Sequence, residues 1–289
     1  MTLPPQLVAL ACAMSYAAAN IAARFGVKYA NPVTMTLISF TTQTIVLWTL
    51  VLVSGSIPPA SYFPAILFVG MGFVMPIIRM LTYIGVATLG ASRSVSLRSS
   101  FPLFGVLFAV IFLKEELKPS VLAGTILVVS GTFVITWQPR ESPSGSRWWY
   151  ALFPLSAAVI AGLIQPLVRY GLGIAHYPLF FTALVGVTSL MVNLTCLPVI
   201  KKFQCPIWNR KGIKRLVVAS LFENLGFLLF ITAFGLAPVA TVSPLIATSP
   251  LWVVLATLII FRNLEQVSFR TLVGSCLTVA GTITITLSR

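Results

Sequence analysis

Leu272–Thr286 reads LVGSCLTVAGTITIT, and an earlier stretch, Leu122–Thr136, reads LAGTILVVSGTFVIT. Laid over each other, Leu122, Gly124, Leu127, Val129, Gly131, Thr132, Ile135 and Thr136 recur as Leu272, Gly274, Leu277, Val279, Gly281, Thr282, Ile285 and Thr286. So many identities in so short a window point to an internal duplication, which decides the fold before any other reading. Gly124 and Gly131 are spaced two helical turns apart, as are Gly274 and Gly281, so each pair lies on one helix face. Small residues on one face let helix backbones approach closely, and these four glycines are expected to pack helices together rather than bind substrate.

The rest of the chain has the same apolar character. Of its 289 residues 58% are hydrophobic and only 8% charged, far from the roughly 25% charged residues of soluble domains. Continuous apolar runs of about 20 residues fit helices that cross a hydrocarbon core, and they lack the short alternating segments of a membrane barrel. The expected fold is all-α and integral to the membrane. Ten transmembrane helices are expected, at about 5–27, 32–54, 63–86, 92–113, 119–137, 149–171, 177–200, 216–236, 242–261 and 268–287. The polar stretch QPRESPSGSR, Gln138–Arg147, reads as a linker between a first five-helix repeat at 1–137 and a second at 149–289, with 138–148 joining them. An odd number of spans per repeat makes the second enter the membrane from the opposite side, giving two inverted five-helix repeats. Such repeats commonly enclose a transport site near the bilayer midplane.

The formal net charge is +14, yet the basic residues sit mostly in connectors, where they read as a topology signal and not as a nucleic-acid surface. Most of them lie beside connectors 1-2, 3-4, 5-6, 7-8 and 9-10, and the positive-inside rule then puts both termini outside. Acids are scarce: Glu115, Glu116, Glu141, Glu223 and Glu265 are the whole set, with no aspartate and a single histidine, His176. That inventory argues against an enzyme, which usually needs an aspartate pair, a metal cluster or a histidine base. The cysteines, Cys12, Cys196, Cys205 and Cys276, show no ligand spacing, so neither metal nor other cofactor is expected. The absence of a Walker loop argues against ATP-driven pumping by this chain.

The duplication extends beyond the opening stretch. Arg24-Phe25-Gly26 echoes Arg169-Tyr170-Gly171, Pro32 echoes Pro178, Pro102 echoes Pro250 and Glu115 echoes Glu265. A mid-span proline, an acid after the fourth and ninth spans, and paired glycines on the fifth and tenth resemble the drug/metabolite transporter superfamily, in its EamA-type ten-span members. The resemblance implies transport of a small metabolite, often export, through a central cavity by alternating access. It also implies cytoplasmic termini, opposite to the charge rule.

Ionisable groups inside a bilayer are costly and need a partner, a watery cavity or a function. Arg79, Arg98 and Glu223 are the three that stand out. Counting helical rise places all three, with Asn20, roughly 10 Å below the face of connectors 3-4 and 7-8, as a vestibule opening there would require. Their repeat positions are Phe227 for Arg79, Ile246 for Arg98 and Met75 for Glu223. The symmetry is broken where a ligand would be met. An Arg–Glu pair that only satisfies itself is one reading; two arginines against one glutamate favour contact with an anion, since the planar guanidinium suits carboxylate or phosphate. Glu223 is also a candidate for an ammonium contact or a coupling proton. Tyr83, one turn after Arg79, joins the candidate substrate-binding set. Pro76, Pro102, Pro166 and Pro250 are expected inside helices as kinks. Trp148-Trp149-Tyr150 reads as an interfacial belt, and His176 as a solvated connector residue. Glu115 and Glu265 are expected to end helices beside basic neighbours.

These readings favour a secondary carrier, an exporter or exchanger, for a small polar metabolite such as an amino acid or organic anion. A structural or regulatory membrane subunit and a lipid-processing enzyme are the weaker alternatives. The expected partners are the lipid bilayer and the small-molecule substrate, with the chain a monomer or homodimer in the cell membrane and both termini on one side.

Overall fold

Lipid offers no hydrogen bonds, so an apolar chain in a membrane must satisfy its backbone within each segment, and helices do so. The computed structural model describes residues 4–27, 29–59, 62–89, 91–137, 148–200, 205–260 and 269–287, and these are helical almost throughout. In chain order the helices are α1 (Pro5–Val27), α2 (Pro32–Ser54), α3 (Tyr62–Leu89), α4 (Ala91–Arg98), α5 (Phe101–Leu113) and α6 (Pro119–Thr136). After a 3-10 turn at Trp148–Ala151 follow α7 (Leu152–Ile174), α8 (Pro178–Ile200), α9 (Arg210–Leu236), α10 (Val239–Ile246), α11 (Ser249–Ile260) and α12 (Phe269–Leu287). Among the described residues, ten helical segments are long and apolar enough to cross a membrane. The linker 138–147 lies outside the described residues.

Local chemistry explains several boundaries. Asn31 caps α2 through its side chain, which accepts the Thr34 N–H at 3.1 Å, and Pro32 occupies the first turn, where its missing N–H is not needed. The helix ends on Gly55, whose φ of +63° suits a residue without a Cβ. Asn209 caps α9 by accepting the Lys211 N–H at 3.0 Å. On the outside, Leu52, Val53, Phe112 and Met191 are exposed, as side chains facing acyl chains would be.

Spans four and nine correct one sequence expectation. Neither runs through as a kinked helix: α4 stops at Arg98 and α5 restarts at Phe101, while α10 stops at Ile246 and α11 restarts at Ser249. Pro102 and Pro250 therefore stand in the first turn of a new half-helix, not inside a continuous one. There the proline ring meets no preceding turn and removes no bond. The breaks are closed by tight turns, with Ser100 N–H bonded to Leu97 O and Thr248 N–H to Leu245 O, both at 3.2 Å. Pro76 and Pro166 do lie inside helices, in α3 and α7. Pro76 cannot donate to the carbonyl of Gly72, and Ser189 Oγ donates to that carbonyl instead, at 2.9 Å.

The two halves interleave. α1 packs on α9, α2 on α8, α3 on α7 and α8, α5 on α7, and α6 on α12. Exchanging the halves turns the α1–α9 contact into α7–α3 and leaves the α2–α8 and α6–α12 contacts unchanged, the signature of a two-fold relation. The duplicated glycines sit on its seam. A Cβ on Gly131 would come within 2.6 Å of the Gly274 carbonyl oxygen, and one on Gly281 within 2.6 Å of the Gly124 carbonyl oxygen. Gly124 thus faces Gly281 while Gly131 faces Gly274, so α6 and α12 run in opposite senses. These are equivalent helices of the two halves.

Candidate functional site

The seam helices hold the halves together at one side; between the halves lies a cavity of about 480 Å³. That volume falls in the range of small-molecule sites. Arg79 from α3 and Glu223 from α9 meet in its wall at 2.5 Å. The carboxylate also accepts the Ser39 hydroxyl from α2 at 2.6 Å, and Ser39 Oγ is 3.1 Å from the guanidinium. The Arg79 guanidinium lies 4.5 Å from the centroid of Phe40, a distance at which the ring face favours a cation. Three helices from both halves therefore converge on one ionic group. Its side chains remain partly accessible, at 23% for Arg79 and 35% for Glu223.

Arg98, the last residue of α4, lines the same cavity and donates its Nε to Thr82 Oγ1 at 3.1 Å. The broken helix puts it there, since the chain turns away at Ser99. Asn20 on α1 is exposed and also lines the cavity. The side chain of Tyr83 lies outside the described residues. Phe101 lines the wall together with Tyr16, Phe40 and Phe230. Trp48 packs edge-on against Phe180, and Trp252 donates to Thr248 Oγ1 at 3.2 Å.

The repeat-equivalent positions supply the contrast. Phe227, Ile246 and Met75 line this cavity too. Met75 and Phe227 stand one helical turn from Arg79 and Glu223, on the far side of the ionic group from connectors 3-4 and 7-8. The cavity thus has a charged pole near that face and an uncharged pole about 6 Å deeper.

Three lining residues, Gln43, Asn224 and Gln165, and the neighbouring Ser39 were not anticipated from sequence. Ser39 belongs to a polar run in α2 that also contains Gln43, one turn later and on the cavity wall. Asn224, beside Glu223, is buried with its amide nitrogen unpartnered, and Gln165 on α7 is fully buried with neither amide atom partnered. Gly105 leaves room for Gln165, because a Cβ there would overlap the carboxamide. The repeat held the signal for Gln165: the register that pairs Arg24 with Arg169 also pairs Asn20 with Gln165.

The opposite end of the bundle carries a second ionic group. Glu115, just beyond α5, accepts the N–H groups of Val239 and Ala240 at 3.0 and 3.2 Å, capping α10. Arg169 on α7 approaches it at 3.2 Å and also donates to the Phe234 carbonyl at the end of α9. The expectation that Glu115 sits beside a basic neighbour is only part of its role, for it reaches across to the first turn of a helix in the other half. Glu265 lies outside the described residues, and His176 is exposed in its connector. Among the described residues no three His, Cys, Asp or Glu side chains cluster as metal ligands.

Two interleaved helical halves around a cavity lined from both are the architecture of a polytopic membrane carrier. Residues 3–137 and 148–287 each match the model of the EamA-like transporter family, and the chain belongs to that family. It is accordingly a multi-pass membrane protein of the drug/metabolite transporter type, a family of transporters and not of enzymes. Among solved structures, 29 chains match. One, described only as the crystal structure of a protein, is 18% identical, with a TM-score of 0.78 over 98% of this chain and 96% of that one, a likeness of fold. The search of curated proteins finds no match.

Proposed function

We propose that the protein is a secondary carrier that moves a small organic anion, an amino acid among the candidates, through the central cavity by alternating access. The observation that carries this reading is the two-poled cavity. Two guanidinium groups, Arg79 and Arg98, and the Glu223 carboxylate stand together in its wall. Arginine presents paired donors that match a carboxylate or phosphate. The uncharged pole at Met75, Phe227 and Ile246 would receive the body of the same molecule.

The asymmetry of the two ends supports an alternating mechanism. The cavity's charged pole lies toward the face of connectors 3-4 and 7-8, while Glu115 and Arg169 tie the halves at the other. Exchange between two such arrangements exposes the ligand to each side in turn, and a ligand shifts that equilibrium only through its differential affinity. Glu223, bonded to Arg79 yet accessible, is the group that would take up a coupling proton or a substrate ammonium. Glu223→Gln then abolishes dependence of flux on a pH gradient, and unchanged dependence excludes the proton role. We further propose that the carrier resides in the cell membrane as a monomer or homodimer, works as an exporter or exchanger, and has both termini on one side.

The test is a thermal-shift screen of the detergent-solubilised protein against amino acids, organic acids, phosphates and nucleosides. A ligand that binds the folded state raises its melting temperature by mass action. Carboxylates or phosphates should be the stabilising class in the wild type and lose their effect in Arg79→Gln. Stabilisation by cations alone would contradict the proposal.

A further inference from the structure

The carrier reading leaves unused a second concentration of charge, at the start of α9. Arg210, Lys211, Lys214 and Arg215 are all exposed within its first two turns, with no acid in the first turn. Four like charges so close repel one another. They also stand at the helix end whose aligned peptide dipoles are already positive, where a cation is unfavourable. Arg215 is partly settled, donating to the Phe25 carbonyl at 3.0 Å and stacking 5.3 Å from the Tyr29 ring. Among the described residues, no carboxylate pairs with Arg210, Lys211 or Lys214. An anion held against these cations relieves that repulsion.

The neighbouring residues indicate what carries that anion. Ile207 and Trp208, immediately before α9, are 55% and 60% exposed. They are not on a loose loop. Asn31 Nδ2 donates to the Cys205 carbonyl at 2.6 Å, and the Ile207 N–H donates to Thr34 Oγ1 at 2.9 Å. Both anchors belong to the start of α2, so the segment is fastened at the end of the bundle where α9 begins. An exposed tryptophan and isoleucine held beside four cations at a membrane boundary match a headgroup joined to acyl chains. The indole suits the interface and the cations suit the phosphate.

We infer that the Trp208–Arg215 surface is a binding site for an anionic phospholipid. The inference is independent of the transport reading and rests on charge complementarity with an acidic leaflet. A neutral phosphocholine headgroup would leave the repulsion uncompensated, so the site discriminates by net headgroup charge.

Native mass spectrometry of the full-length protein, equilibrated with equal amounts of phosphatidylglycerol and phosphatidylcholine, tests it. The wild type should retain phosphatidylglycerol about a hundredfold over phosphatidylcholine, the product of about 5-fold from each of three cations. Each of Arg210→Gln, Lys211→Gln and Lys214→Gln should lower that ratio about 5-fold, the equivalent of ~1 kcal/mol per cation near an anionic lipid, and the triple variant should bring it to parity. Raising ionic strength should erode the wild-type preference, a readout that needs no variant. A ratio near one in the wild type, or an undiminished ratio in the triple variant, overturns the proposal. So does equal competition by soluble glycerol phosphate, which would mark a site for free phosphoesters instead of lipid.

Discussion

Two glutamates in this molecule pair with arginines across the halves, and their surroundings differ in kind. Glu115 is 11% exposed, and its oxygens are taken by two backbone N–H groups and a guanidinium. Glu223 is 35% exposed and holds one guanidinium and one hydroxyl beside open cavity. The first carboxylate has its bonding committed to the fold. The second keeps capacity for a ligand. An ion pair in a membrane protein is thus not informative by itself; the number of fixed donors and the space beside it separate a structural role from a transport role.

The largest expected effect breaks the comparison on the cavity side. A hydrogen bond to a charged group contributes about 1.5–3 kcal/mol, so Arg79→Gln should weaken substrate affinity ~10–100-fold. Membrane insertion and melting temperature should stay near wild type. Flux measured against substrate concentration in proteoliposomes checks it, and an unaltered concentration dependence would remove Arg79 from the site. Arg98→Gln should act in the same direction.

On the opposite side the expected signs are exchanged. Glu115→Gln keeps an acceptor for one N–H of α10 but loses the charge that Arg169 faces, which should cost about 1–3 kcal/mol of stability. Thermal unfolding in detergent should show the loss, while the substrate concentration for half-maximal flux is unchanged. A shift in that concentration without loss of stability would mean the two glutamates are not divided as described.

The seam gives a third expectation of similar size. Gly131→Ala places a methyl against the Gly274 carbonyl and should cost about 1–3 kcal/mol by forcing α6 and α12 apart. Equal stability of the variant would show that the seam has slack. The smallest effect belongs to Pro250→Ala, which should stay within about 0.5 kcal/mol because a first-turn proline removes no helical bond. A larger loss would restore the kink reading for that span.

The same division explains what sequence could reveal. Ten spans and two repeats were legible because each span carries its own apolar run, and the glycines because duplication marked them twice. Arg79 and Glu223 stood out through the cost of charge in lipid, and counting helical rise put them at one depth. Their partner Ser39 was not legible, since a serine in a span is inexpensive and its contact is chosen by a helix far away in sequence. Glu115 illustrates the same limit: its local context is a helix end, and only the fold delivers the α10 first turn to it. The half-helix breaks were misread because a proline reads alike whether it bends a helix or begins one. Gln165 was available through the repeat but hidden by the weakness of a single carboxamide among apolar neighbours.

The central claim, that the charged pole of the cavity receives the acid of the substrate, is tested most directly by counterflow. Proteoliposomes preloaded with an amino acid or organic acid that stabilises the protein are placed in the same labelled compound. The wild type should accumulate label transiently and saturably, and Arg79→Gln should do so only at about tenfold higher concentration or not at all. Identical counterflow by the two proteins, or saturable counterflow confined to cationic compounds, would contradict the account.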